Sequence, residues 1–130
     1  MIQIRFQSAS HYIVNRKRIE KEVKEVLSAR LKGDAEVSIL IGGDRQMKLL
    51  NKTYRNIDAT TDVLSFPQHD PSQPMKPFAP PPDGVLYLGD IIISYPQAVK
   101  EAAEDEMMVD DKITQLVLHG LDHLMGIHHD

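Results

Sequence analysis

A chain of 130 residues is long enough to bury one core of its own and is read as a single domain over residues 1–130. Its 42% hydrophobic and 26% charged residues are the balance of a globular chain, and the lack of cysteine excludes disulfides and thiolate ligands, so any metal site must use histidine and carboxylate. The net charge of −4 argues against nonspecific nucleic-acid binding by the chain as a whole, and no apolar run approaches the ~18 residues of a membrane span.

The elements follow from periodicity and punctuation. Residues 2–7, IQIRFQ, alternate apolar and polar and predict a strand. NRKRIEKEVKEVLSARL then places Ile19, Val23, Val26, Leu27 and Leu31 on one face of a helix, with Asn15 as its cap. Gly33-Asp34 turns the chain into a second strand, AEVSILIG. GDRQMKLLNKTYR is a second helix, expected to be capped by Asp44 and to turn Met47, Leu50 and Tyr54 inward. TDVLSFP is a third strand, stopped by Pro67. Residues 67–84 hold seven of the eight prolines and predict an exposed extended loop. VLYLGDIIIS is apolar enough for a buried fourth strand. YPQAVKEAAEDE predicts a third helix with Pro96 in its first turn, and DDKITQLVLHGLDHLMG a fourth, capped by Asp110 or Asp111. The order β-α-β-α-β-β-α-α implies one mixed sheet of about four strands packed with helices, an α+β fold or α/β sandwich.

Charge is unevenly spread. Residues 1–60 hold 12 basic and 7 acidic side chains, and residues 61–130 hold 3 and 12. The excess in the first half hints at an anionic partner, although the run NRKRIEKEVKEV by itself reads as a solvated helix face. No signal-peptide pattern opens the chain, so the cytoplasm is the expected compartment.

The sequence ends on HGLDHLMGIHHD. His119 and His123 are one helical turn apart, on one face. Gly126 can end the helix and let the chain return a third imidazole, which by spacing is His129 and not His128. H-x-x-x-H-x-x-G-x-x-H is the ligand spacing of metzincin proteases, and three nitrogen ligands leave a zinc with an open fourth position. With Ile113 at 0° on a helical wheel, the core stripe of Leu116, Val117, Leu121 and Leu124 spans about 300° to 80°. His119 and His123 fall near 240° and 280°, flanking that stripe as the wall of a cleft would, and Asp122 falls on the outer side. The proteases carry a glutamate after the first histidine as general base. Here that residue is Gly120, which disfavours a protease and leaves the base unassigned.

These motifs together resemble the YbeY family of rRNA maturation factors, single-strand-specific metal-dependent endoribonucleases. The family pattern L-N-x-x-Y-R-x-x-D-x-x-T-[DN]-V-L-S-F-P is met at Leu50, Asn51, Tyr54, Arg55, Asp58 and Thr61 through Pro67. Its L-G-D-I is met at Leu88 through Ile91, and its H-G-x-L-H-L-x-G-Y-D-H at His119, Gly120, His123, Leu124, Gly126 and His129. Asp122, Ile127 and His128 depart from it, standing where the family has leucine, tyrosine and aspartate.

The resemblance implies cleavage of single-stranded RNA, specifically rRNA precursors, with the ribosome or its proteins as partners and neither DNA nor a membrane. It implies one Zn²⁺ on His119, His123 and His129, and marks Arg55 as important for RNA processing and so as the candidate catalytic residue beside the metal. A guanidinium suits phosphate geometry, and Arg55 is expected to line the cleft of the metal, a salt bridge to Asp58 or Asp62 being its structural alternative. Ser65 and Asp62 are expected to bind substrate beside that cleft, with Asp90 a backbone-binding turn residue. Zinc can lower the pKa of bound water or polarise a phosphoryl oxygen. Two other classes remain: a metal hydrolase of peptide or amide bonds, and a non-catalytic ribosome-assembly factor whose zinc is structural.

Overall fold

The computed structural model describes residues 1–68 and 84–126. The elements are β1 (Ile2–Ser8), α1 (Arg16–Arg30), β2 (Asp34–Gly42), α2 (Asp44–Arg55), β3 (Val63–Pro67), β4 (Val85–Ser94), α3 (Tyr95–Glu104) and α4 (Val109–Leu124). Type and order agree with the sequence reading. Most of the proline-rich stretch lies outside the described residues, as does His129.

One four-stranded sheet carries the fold, in the order β1-β2-β4-β3. β1, β2 and β4 run parallel, and β3 pairs antiparallel with β4 at the edge. Successive side chains of a strand point to opposite faces. Ile39, Ile41, Ile91 and Ile93 join a core with Val23, Ala98, Val117 and Leu121 from α1, α3 and α4. Leu64 and Ile92 point the other way, into a smaller cluster under Met47 of α2. Among the described residues, three helices therefore cover one face and α2 covers the other. Each fully buried Leu or Ile contributes about 1.5–3 kcal/mol, so the three-helix face holds most of the hydrophobic stabilisation.

β4 changes phase in mid-course. Between Glu36 and Val37 of β2, the β4 partner jumps from Tyr87 to Gly89. Leu88 is the extra residue of a bulge, so Leu86 and Leu88 share a face with Ile91 and Ile93. Gly89 takes φ +136°, and a Cβ on it would sit 2.2 Å from the Phe66 carbonyl oxygen. Glycine alone satisfies both the dihedral and the approach.

The helix starts were only partly anticipated. Asn15 caps α1 as expected, its Oδ1 accepting from Arg18 N at 3.1 Å. α2 instead begins after Gly43, with no side-chain cap. Asp44 is its first residue, and its carboxylate turns away from the helix to bind groups of other segments. At α4 the cap position is Met108. Asp110 and Asp111 lie in the first turn and tie α4 to the start of α1: Asp110 accepts from Asn15 N at 3.1 Å, and Asp111 from Arg18 Nη1 at 2.5 Å. In each case the acid is needed across an interface, and the cap is left to a backbone group. Tyr54 was expected inside. It is 67% exposed, resting against Phe66 at 5.1 Å between ring centroids.

Candidate metal centre and its surroundings

α4 presents His119 and His123 one turn apart, with ring centroids 4.5 Å apart and tilted by 57°. His119 is exposed and His123 half-buried. They flank the buried stripe of Ile113, Val117, Leu121 and Leu124, as the wheel requires. Asp122 does not face open solvent on the outer side. It meets α1, where Arg30 Nη1 donates to its Oδ1 at 3.4 Å.

Gly120 explains how the pair reaches the sheet. A Cβ there would lie 2.9 Å from Ile91 Cγ2 and 3.5 Å from Val63 Cγ2. The backbone of α4 thus lies directly on β3 and β4. A side chain at 120 would point into the sheet and not toward the histidines, so this position offers no room for a catalytic carboxylate. The close approach also brings Ser65 onto the histidine side. It pairs in register with Ile91 and shares a strand face with Val63, in the edge strand.

Asp62, immediately before β3, is held within the protein. Its Oδ1 accepts from Val63 N at 2.7 Å and from Thr61 Oγ1 at 3.3 Å. It also shares a hydrogen bond with Glu101 of α3. Burial pushes the Glu101 carboxyl above the usual range, and the charge of Asp62 and that hydrogen bond push it further, with Lys112 opposing. Glu101 was not anticipated. Its pairing with Asp62 joins two distant stretches, and "KEAAEDE" looks like an ordinary wet helix face.

Arg55 is the exposed last residue of α2. The body of that helix covers the opposite face of the sheet from α4, while Arg55 itself stands at the end that leads through residues 56–62 to Val63 of β3. Neither expected ion-pair partner is engaged with it: Asp58 meets Lys48 at 3.8 Å, and Asp62 is bound to Glu101. Asp90 is also placed differently from its expected turn position. It lies within β4, opposite Phe66, because the bulge at Leu88 provides the irregularity and leaves Asp90 in the ladder. There it faces the α2 side, where α2 covers only part of the sheet. A cleft of about 910 Å³ remains, lined by Arg5, Ser38, Tyr54, Phe66 and Asp90 among others.

The two imidazoles form a donor set suited to zinc. Among the described residues no group of three or more His, Asp or Glu side chains converges on one point, and the expected third donor, His129, lies outside them.

A family model described as Endoribonuclease YbeY matches residues 3–130. The chain belongs to the YbeY family. Endoribonuclease YbeY of Roseiflexus castenholzii is 40% identical over 119 residues, covering 91% of this chain and 72% of that protein. That of Moorella thermoacetica is 45% identical over 98 residues, or 75% and 62% of the two chains. That of Aquifex aeolicus is 35% identical over 117 residues, or 90% and 71%. The fold is also that of TM1509 from Thermotoga maritima, whose solution structure aligns with a TM-score of 0.62 at 22% identity, over all of this chain and 75% of that one. The YbeY match takes in both α2 and the histidine helix, and so both faces of the sheet.

Proposed function

We propose that this chain is a metal-dependent endoribonuclease that cleaves single-stranded RNA during rRNA maturation, working in the cytoplasm with the ribosome or its proteins as partners. Family membership supports the nuclease activity. The observation that carries the metal assignment is the His119–His123 pair, one turn apart on α4 and beside the edge strand. His119, His123 and His129 would hold one Zn²⁺. When bound, the ion supplies Lewis acidity toward a phosphoryl oxygen and a lowered pKa for water. Ser65, on the histidine side of β3, offers a hydroxyl to a phosphate or ribose oxygen. Arg55, exposed at the end of α2, would offer its guanidinium to a phosphate of the RNA and assist the cleavage step. Gly120 disfavours the peptide-hydrolase alternative, since its position is directed into the sheet.

The test is cleavage of an unstructured RNA and of a peptide library, before and after exhaustive chelation, with metal content measured on the same samples. RNA cleavage that disappears on chelation and returns with zinc is the expected result, with peptides left intact. Undiminished cleavage by metal-free protein would overturn the metal's role. A protein that unfolds on chelation would favour the structural-zinc assembly factor.

A further inference from the structure

One exposed flank of α2, on the side away from the cleft, is a basic stripe. Arg45, Lys48, Lys52 and Arg55 are all exposed. At ~100° per residue they fall within an arc of about 80°. Gln46, Leu50 and Tyr54, which line the open cleft, lie on the other side of the helix, about 180° from the centre of the stripe. The cations therefore face away from the cleft. At 1.5 Å per residue the stripe is about 15 Å long.

Two features separate it from an ordinary solvated helix face. First, it holds no internal counter-charge. The single acid of α2 is Asp44, whose carboxylate is occupied by Thr60, Ser94 and Gln97. Among the described residues the stripe has one ion pair, the 3.8 Å contact of Lys48 with exposed Asp58. α1 is built otherwise. Arg16 and Arg18 are paired with Glu20 and Glu22, and Lys17, Lys21 and Lys24 alternate with Glu20 and Glu25 along the helix. Second, the stripe leads somewhere. It ends at Arg55, from which residues 56–62 run directly into β3, the edge strand on which Gly120 of the histidine helix rests.

We propose that Arg45, Lys48, Lys52 and Arg55 form a track for the phosphate backbone of single-stranded RNA, which passes along α2 and around the β3 edge to reach the histidines. This rests on the ribonuclease reading above and adds the path by which substrate is held. The chemistry favours a nucleic-acid backbone over an acidic protein. The stripe presents charge at near-regular intervals with little apolar surface apart from Leu49, which suits repeated phosphates. Arg55, at the end of α2 nearest in sequence to β3, is the last step of the track.

The test uses the full chain and poly(U) as the probe. Affinity is measured across a salt series for wild type, Arg45→Gln/Lys52→Gln, and the charge-matched control Lys17→Gln/Lys24→Gln. All four positions are exposed, so far-UV spectra should coincide. Each lost phosphate contact lowers the slope of log affinity against log salt by about 0.7, so the α2 variant should lose about 1.4. The α1 control should keep the wild-type slope. Equal losses in both variants would mean that only net charge matters, and would overturn the track. So would an unchanged slope in the α2 variant, even where wild type cleaves poly(U), and in that case the nuclease reading stands while the track falls. Failure of wild type either to bind or to cleave poly(U) would sink both. Competition by polyglutamate that depends on the stripe, with RNA binding unaffected, would assign the face to an acidic protein and refute an RNA track.

Discussion

At position 120 even a methyl group is too large. Gly120→Ala would press a Cβ to 2.9 Å from Ile91 Cγ2 in a region already filled. Overpacking of this kind costs about 1–3 kcal/mol, reduced by alanine's better helix propensity of up to about 1 kcal/mol. Urea denaturation should therefore show a net loss of stability, and the displaced histidine pair should also slow cleavage. His123→Ala is expected to behave in the opposite way. The side chain is half-buried beside the core stripe and not within it, so cleavage and bound metal should fall to background while the unfolding midpoint stays near wild type. A midpoint that collapses would indicate a structural metal. The spacing of the histidines was visible in the sequence, because a period of 3.6 needs no tertiary knowledge. The role of Gly120 was only half visible. Its lack of a carboxylate could be read directly, but its contact with Ile91 and Val63 depends on which strands lie beneath α4.

Among the elements, α2, α3 and the stretch before β3 meet at one carboxylate. Asp44 accepts from Ser94 Oγ at 2.7 Å, Thr60 Oγ1 at 3.0 Å and Gln97 Nε2 at 3.1 Å. Burial works to raise its pKa, but these hydrogen bonds, with a smaller effect of Lys100, outweigh it and leave the group below its usual value. A carboxylate depressed in the folded state stabilises fully above its unfolded pKa. That contribution fades as pH falls through the folded value. Asp44→Ala should cost roughly 2–3 kcal/mol at neutral pH, since hydrogen bonds to charged groups carry about 1.5–3 kcal/mol each and the freed donors are partly rehydrated. Its deficit relative to wild type should shrink in strong acid, on the far side of the usual carboxylate range. Unfolding curves at neutral and acid pH would measure both, and a deficit independent of pH would contradict the account. Sequence reading found the elements but assigned Asp44, Asp110 and Asp111 to local caps. Local hydrogen bonds are the only ones that a sequence pattern displays, whereas these acids bind across element boundaries.

For the molecule as a whole, the division of the sheet into a three-helix face and a one-helix face was beyond the reach of the sequence. In "LGDIIIS" both faces of β4 are apolar, so alternation cannot say which helix covers which side. The face that α2 covers accordingly could not be assigned, although the mixed sheet and its four strands could be inferred from element order. The three-helix side also carries a penalty that can be relieved. Glu101 is raised first by burial and then by Asp62. A carboxyl raised in the folded state contributes stability below its unfolded pKa and loses it as pH climbs through the folded value. Glu101→Gln should therefore raise the melting temperature at neutral pH and converge with wild type in acid, with Lys112 still held by Asp105 and Gln115. A lowered melting temperature at neutral pH would show that the charge is needed. The bulge in β4 has a further consequence, for folding errors. If β4 paired with β2 without it, the Leu86–Leu88 segment and the Ile91–Ile93 segment would face opposite sides. One segment would then expose its large apolar side chains, and the carboxylate of Asp90 could be carried inward with the slipped segment. Such a slip cannot survive as a near-native alternative. Gly89, which alone accepts both φ +136° and the approach of the Phe66 carbonyl, makes the bulged register the one in which both apolar segments are buried.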